Sequence, residues 1–414
     1  MKFSRMTNPI LIKFIFHEIV ASRSSVEICP SIRQLVNHDF VFSDMNPDTA
    51  RQLFENGGIL LVLDCPKEME FGIDHYSWQI GPQFHGIKMI PPGLHFCYYS
   101  ERDLSTKQLA NRQGFFIRIR QPDEMFVVVR WSPSDNLFQR EYLTPDQYET
   151  RRSQRYELDR LLGQYPLDTY RQWLALSSHL QSEFLEKLLP LNGHICSSNV
   201  FDLNSTSQSN DFSVPKNLTE AESRLPKMTI QPEYALRLTE LSHQDKTHSA
   251  SDLTHSKLDR TEQLEQILAE RFNSNAYGIL CELEFSFVIF FLGQVYEGFE
   301  QWKRLINLLC SCQRAFCRWP LIYIEFLQII YFQLKYFVED EQLFVDIHQQ
   351  DNYLYKSLEN LFANLSAWNT EEKMDETNFD KLIQRADKMK QFLSETYQWT
   401  FEDEPDDEKP VVVE

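Results

Sequence analysis

Residues 71–99 read FGIDHYSWQIGPQFHGIKMIPPGLHFCYY. Turn formers punctuate the stretch at Gly72, Gly81-Pro82, Gly86 and Pro91-Pro92-Gly93, and the segments between them are too short for helices. Residues 87–90 and 94–99 are apolar and aromatic, the texture of strands on a pleated, half-buried surface. The glycines fit turns or bulges of a small β module, and Trp78 and Phe84 are expected to fill its core.

The same texture extends to both sides. Residues 59–63 (ILLVL) form a continuous apolar run, as in a strand buried on both faces. Residues 114–119 and 126–131, separated by Gln121-Pro122-Asp123, are spaced like a hairpin. Residues 45–140 are therefore expected to form an antiparallel β module, sandwich or barrel-like. Met45-Asn46-Pro47-Asp48 reads as a helix start and Gly57-Gly58 as its stop. Residues 1–44 show no period. They are expected to be a dispensable extension ahead of a functional start at Met45.

Beyond residue 140 the period changes. Thr144-Pro145-Asp146 reads as a helix cap followed by proline at the first helical position. Helices are expected near 148–162, with Tyr156, Leu158, Leu161 and Leu162 on one stripe, and near 167–176 and 182–189. They close an N-terminal β-rich domain at 45–190. Residues 191–256 read as a polar, flexible linker, interrupted by a short packed element at 234–241. Residues 257–400 read as an all-α domain, with helices near 258–272, 277–292, 294–310, 313–335, 342–362 and 378–396. Residues 402–414 (EDEPDDEKPVVVE) carry seven acids and one base and end an acidic tail at 401–414. The fold class is thus α+β, a β-rich domain followed by a helical one.

Composition narrows the function. The 414 residues include 41 Lys plus Arg against 60 Asp plus Glu, a net charge of −19, which disfavours a nucleic-acid or anionic-membrane partner and favours basic protein surfaces. The eight cysteines are scattered, several within apolar runs, as for reduced, buried thiols. The apolar runs at 277–293 and 321–337 are interrupted by Glu282, Glu284, Glu325 and Lys335 and read as buried helices rather than membrane spans.

Catalytic grammar is missing. Neither GxxxxGK[ST] nor GxGxxG nor GxSxG occurs. His95 and Cys97 share a strand face, with Cys65 and His75 as distant companions, but two ligands on a strand make no zinc set. Cys310, Cys312 and Cys317 lack a fourth ligand. Asp346 with His348, and Glu282 with Glu284, stand at i and i+2 and point apart on a helix. No enzyme, cofactor or metal is expected. A hydrolase with a dispersed site stays open as an alternative.

Three blocks carry a resemblance. The first holds FGID at 71–74, Ser77-Trp78, Gly81-Pro82, Phe84, Gly86, KMIPPG at 88–93 and His95-Phe96. The second holds GFF at 114–116, VRWS at 129–132 and LGQYP at 162–166. The third holds FLGQVYEGFEQWKR at 291–304, with FVD at 344–346, QDN at 350–352 and PVVVE at 410–414. Over about 45–414 the chain resembles the A1-alpha2-repression (AAR-type) splicing factor family, assembly factors of the U5 small nuclear ribonucleoprotein.

The resemblance implies a β-rich domain followed by a VHS-like helical domain, and a non-enzymatic protein. It implies binding to the large spliceosomal scaffold (pre-mRNA-processing splicing factor 8) through its RNase H-like and Jab1/MPN-like domains, before a helicase takes over. It also implies location in cytoplasm and nucleus and a monomer before complex formation. Residues 1–44 have no counterpart in the family, and family tails continue a few residues past the last Glu, which implies a clipped C-terminus here. The segment Pro410, Val411, Val412 and Val413, with its three β-branched valines, is expected to add a strand to a partner's sheet edge. Phosphorylation of the serines in 197–213, Ser205, Ser207, Ser209 and Ser213 among them, would add charge that promotes release or reorders the loop. The alternative function class is a VHS-like trafficking adaptor that binds peptide motifs.

Overall fold

The computed structural model describes residues 47–102, 106, 108–120, 124–198, 201–202, 229–241, 259–339, 352–367 and 376–401. The extension at 1–44, the four serines, the helical reading at 342–348 and the tail residues Pro410, Val411, Val412 and Val413 lie outside them. A β-rich region is followed by a helical one, so the class is α+β. The chain divides into two compact units, residues up to 110 with 115–173, and 111–114 with 174 onward.

In the first unit, α1 (Pro47–Asn56) stops where the Gly57 N–H donates to the Leu53 carbonyl at 2.7 Å. It leads into β1 (Gly58–Leu63), β2 (Glu70–Ile73), β3 (Tyr76–Gln79), β4 (Gly86–Ile90), β5 (Gly93–Ser100), β6 (Gln113–Ile119), β7 (Phe126–Ser132) and β8 (Leu137–Glu141). Further on, α2 (Pro145–Ser153) begins with a capping box: Gln147 N–H donates to Thr144 Oγ1, and Thr144 N–H to Gln147 Oε1. The short β9 (Gly163–Gln164) and the helix α3 (Tyr170–Leu176) follow.

One sheet has the order β8-β7-β1-β4-β9, and a second contains β6-β5-β2-β3. They face each other across an aromatic core in which Phe138 packs 4.8 Å from Tyr99, 5.1 Å from Trp131 and 6.0 Å from Phe71. The far side of β1 is also covered. Ile59 and Leu61 join Phe126, Val128 and Leu162, with Tyr148 and Leu158 against them. This double burial is what ILLVL encodes.

The structure corrects four expectations. The module is mixed, not antiparallel, because β1 pairs parallel with β7, and β4 with β9. β6 and β7 do not form a hairpin: the bridge Arg120–Glu124 holds only their near ends, and the strands enter different sheets. The reason is patterning. β7 is apolar on both faces and takes a central place between β1 and β8, whereas β6 buries alternate residues. Trp78 and Phe84 are half-buried rather than central, since Trp78 stands on β3 at the end of its sheet. Tyr156 of the expected stripe is 65% exposed, because the helix breaks after Ser153.

Gly86 has φ +140°, and a Cβ there would lie 1.9 Å from the Leu60 carbonyl oxygen, so only glycine allows β4 to approach β1.

The second unit holds α4 (Ser182–Leu188), the short β10 (His194–Cys196), and a two-residue pairing of β11 (Phe201–Asp202) with β12 (Thr229–Ile230). The helices are α5 (Thr261–Phe272), α6 (Tyr277–Phe291), α7 (Tyr296–Cys310), α8 (Pro320–Glu339), α9 (Tyr353–Ala367) and α10 (Glu376–Tyr397). Every residue of α6 from Gly278 to Ile289 is buried, so the all-round apolar character of this helix places it at the centre. Among the described residues no single helix is long and apolar enough to cross a membrane. The packed element expected at 234–241 is present as irregular chain with Thr239 buried.

Candidate functional site

The polar groups buried in this protein act as ties between chain segments. Glu282 and Glu284 are both fully buried on α6. Glu282 accepts from the Thr239 N–H at 2.7 Å, the Thr239 hydroxyl at 2.5 Å and Gln301 Nε2 at 2.9 Å. Burial raises its pKa against the pull of these donors. Glu284 accepts from the His179 N–H at 2.6 Å and the Ser178 hydroxyl at 2.6 Å, and lies 2.9 Å from His179 Nδ1. The i, i+2 spacing sends the two carboxylates to different partners. Both oxygens of each carboxylate are engaged by groups of the protein itself.

The β-rich unit has an equivalent. His95 Nδ1 lies 2.7 Å from Asp74 Oδ2 and its Nε2 lies 2.8 Å from the Pro91 carbonyl. Asp74 also accepts from the Phe96 N–H at 2.9 Å and the Tyr165 hydroxyl at 2.7 Å. Asp74 and His95 are both fully buried. Asp74 has φ +52° in the tight turn between β2 and β3, so one aspartate shapes a turn and anchors β5. Tyr165 and Trp173 close over the His95 ring, and the Trp173 indole N–H donates to the Leu94 carbonyl at 2.7 Å.

Asp346 and His348 lie outside the described residues, and the other described residues weighed for metal or nucleophile chemistry form no such set. Among the described residues no group of three or more His, Cys, Asp or Glu is placed to hold a metal. Burial pushes the Cys65 thiol up to about 12 and the Cys196 thiol to about 11, with Glu101 adding to the first. Cys97 and Cys310 are pushed well above the usual thiol range by burial. Such thiols are poor nucleophiles. His75 and His194 are lowered to about 4, in both cases by burial.

The motif residues serve the same architecture. In the block at 291–304, Gly298 packs on α6, where a Cβ would meet Ile289 Cγ1 at 2.6 Å and the Ser286 carbonyl oxygen at 2.7 Å. Gln301 reaches Glu282, and the Trp302 indole N–H donates to Gln333 Oε1 at 2.8 Å. Gly72 lies under the Tyr98 ring, where a Cβ would be 2.3 Å from the ring carbon Cζ. Tyr142, Tyr296 and Leu191 are among the large apolar side chains left to solvent, at 83%, 67% and 67% exposure.

The last described residues are anchored on the helical unit. The Tyr397 hydroxyl donates to the Leu334 carbonyl at 2.8 Å, Trp399 is fully buried, and the Tyr355 hydroxyl donates to the Thr400 carbonyl at 2.6 Å. Phe401 stacks on Tyr355 at 5.2 Å and meets Phe362 edge-on at 5.0 Å. The expected strand-adding residues Pro410, Val411, Val412 and Val413 lie outside the described residues.

Comparison with known proteins matches the same two regions. The AAR2 N-terminal domain matches residues 56–190, and the AAR2 C-terminal repeat region matches residues 238–402. A human relative, "Protein AAR2 homolog", is 36% identical over 383 residues, covering 89% of this chain and 97% of the relative. A Caenorhabditis elegans protein of the same name is 31% identical over 373 residues, 86% of this chain and 98% of its own length. The Saccharomyces cerevisiae "A1 cistron-splicing factor AAR2" is 23% identical over 368 residues, 84% and 96% respectively. With both domains matched in order and the human relative aligned along nearly its whole length, this chain belongs to the AAR2 family.

Proposed function

We propose that this protein is a non-enzymatic splicing factor that assists assembly of the U5 small nuclear ribonucleoprotein. It holds the large central scaffold, pre-mRNA-processing splicing factor 8, through the RNase H-like and Jab1/MPN-like domains and keeps RNA or the helicase from docking early. The observation that carries this reading is similarity along almost the whole chain to AAR2 relatives, one of them named a splicing factor. Two physical features agree with it. The net charge of −19 suits a protein that covers a basic, RNA-facing surface by competition. The buried carboxylates Glu282, Glu284 and Asp74 are each held by donors of the protein itself, as in structural ties.

In this reading the acidic tail gives reach, and Pro410, Val411, Val412 and Val413 supply an added strand on the scaffold. The factor meets its scaffold in the cytoplasm and nucleus, as a monomer, without cofactor, nucleic acid or membrane. The test is a pull-down with the isolated scaffold C-terminal domains, with and without RNA. Salt-sensitive capture that RNA competes away is expected. Absence of capture at low ionic strength, or capture indifferent to RNA, overturns the reading.

A further inference from the structure

A groove of about 600 Å³ runs between α9 and α10, lined by Phe362, Leu365, Phe379, Ile383 and Ala386, with Asp380, Asp387 and Lys390 among its polar residues. Phe362 lies beneath both the Lys390 ammonium, 5.3 Å from its ring centre, and the edge of Phe401. The last described residue thus sits against a wall of the groove. The sequence that follows is EDEPDDEKPVVVE.

We propose that in the unbound protein Val411, Val412 and Val413 occupy this groove, so that the C-terminal segment is held on its own helical unit. Reach is sufficient. Ten residue steps from Phe401 to Val411 extend up to about 33 Å, whereas the groove's stretch of α10 from Phe379 to Lys390 is eleven steps, about 16 Å. Chemistry is matched as well. Three β-branched apolar residues meet the half-buried Ile383 and the edges that the buried Phe362, Leu365, Phe379 and Ala386 present to the groove. Lys409, just ahead of them, meets the groove carboxylates Asp380 and Asp387, and the acids at 402–408 pass Lys390 and the exposed Lys388.

The consequence builds on the tail being the partner-binding strand. A groove that holds the valines competes with the scaffold for them and keeps a sticky β segment covered until the scaffold displaces it.

The test compares hydrogen exchange in the full chain with that of a triple variant, Val411→Asp, Val412→Asp and Val413→Asp, which substitutes no described residue. Amides at 362–366 and 379–390 are expected to exchange about fivefold faster in the variant. Conversely, Ile383→Glu, or Leu365→Gln should the first variant fail to fold, is expected to speed exchange at 411–413 to the rate of a free peptide 402–414. Equal exchange of wild type and triple variant across both helices overturns the proposal. So does peptide-like exchange at 411–413 in the wild type. No scaffold is present in either measurement, so failure of the partner reading would leave the exchange differences in place.

Discussion

Glu282 and Glu284 stand two residues apart on one buried helix and hold two different segments, one binding Thr239 and the other Ser178 and His179. Each carboxylate replaces water for donors that the surrounding apolar helices could not satisfy. Glu284→Ala removes the acceptor of the buried His179 N–H and of the half-buried Ser178 hydroxyl, and takes a carboxylate away from the His179 ring. It is expected to cost about 3 kcal/mol of unfolding free energy, with Glu284→Gln costing less. Urea unfolding followed by far-UV circular dichroism measures this; a loss below half that size would mean that water replaces the carboxylate.

The Asp74 network predicts a graded series in the β-rich unit. Tyr165→Phe removes one donor of several and is expected to cost about 1 kcal/mol. Asp74→Ala strips acceptors from His95, Phe96 and Tyr165 at once and should prevent the unit from folding at 37 °C. Thermal unfolding of the two variants separates a network from a set of independent bonds.

Gly86→Ala is expected to be far more damaging than Gly163→Ala. The first forces a Cβ against the Leu60 carbonyl oxygen in a backbone region closed to side chains; the second meets nothing nearer than 3.6 Å. A shift of more than about 10 °C in Tm is expected for the first, and little change for the second. Soluble yield and Tm check this.

Burial of His75 and His194 sets a pH dependence. Their folded pKa values of about 4 lie below the ordinary 6.5, so between these limits the unfolded chain binds protons that the folded one refuses. Stability is therefore full above pH 6.5 and falls as pH drops toward 4, by up to about 3 kcal/mol for each histidine. His194→Gln is expected to flatten the profile of denaturation midpoint against pH by roughly half.

Strands and helices were legible wherever periodicity was strong. ILLVL, GFFIRI and FVVVRW each become a strand, and Thr144-Pro145 caps a helix as its chemistry requires. The β2–β3 hairpin escaped, because FGID and YSWQ are too short and too glycine-rich for alternation to register. The hairpin expected at 114–131 was an error of partner choice, since spacing specifies nearness of strand ends but not which sheet a doubly apolar strand enters.

What the sequence determined by itself was local: element types, the change from β to α texture, the acidic charge, and the family, whose ordered blocks remain readable one residue at a time. Partnership was decided only by tertiary structure. That His95 meets Asp74 and Tyr165, and that Glu282 and Glu284 face different segments, depends on groups 21 to 106 positions apart. Such pairings leave no periodic trace, because a buried polar group takes whichever donor the packing of apolar faces brings within 3 Å, and that packing is a property of the whole unit.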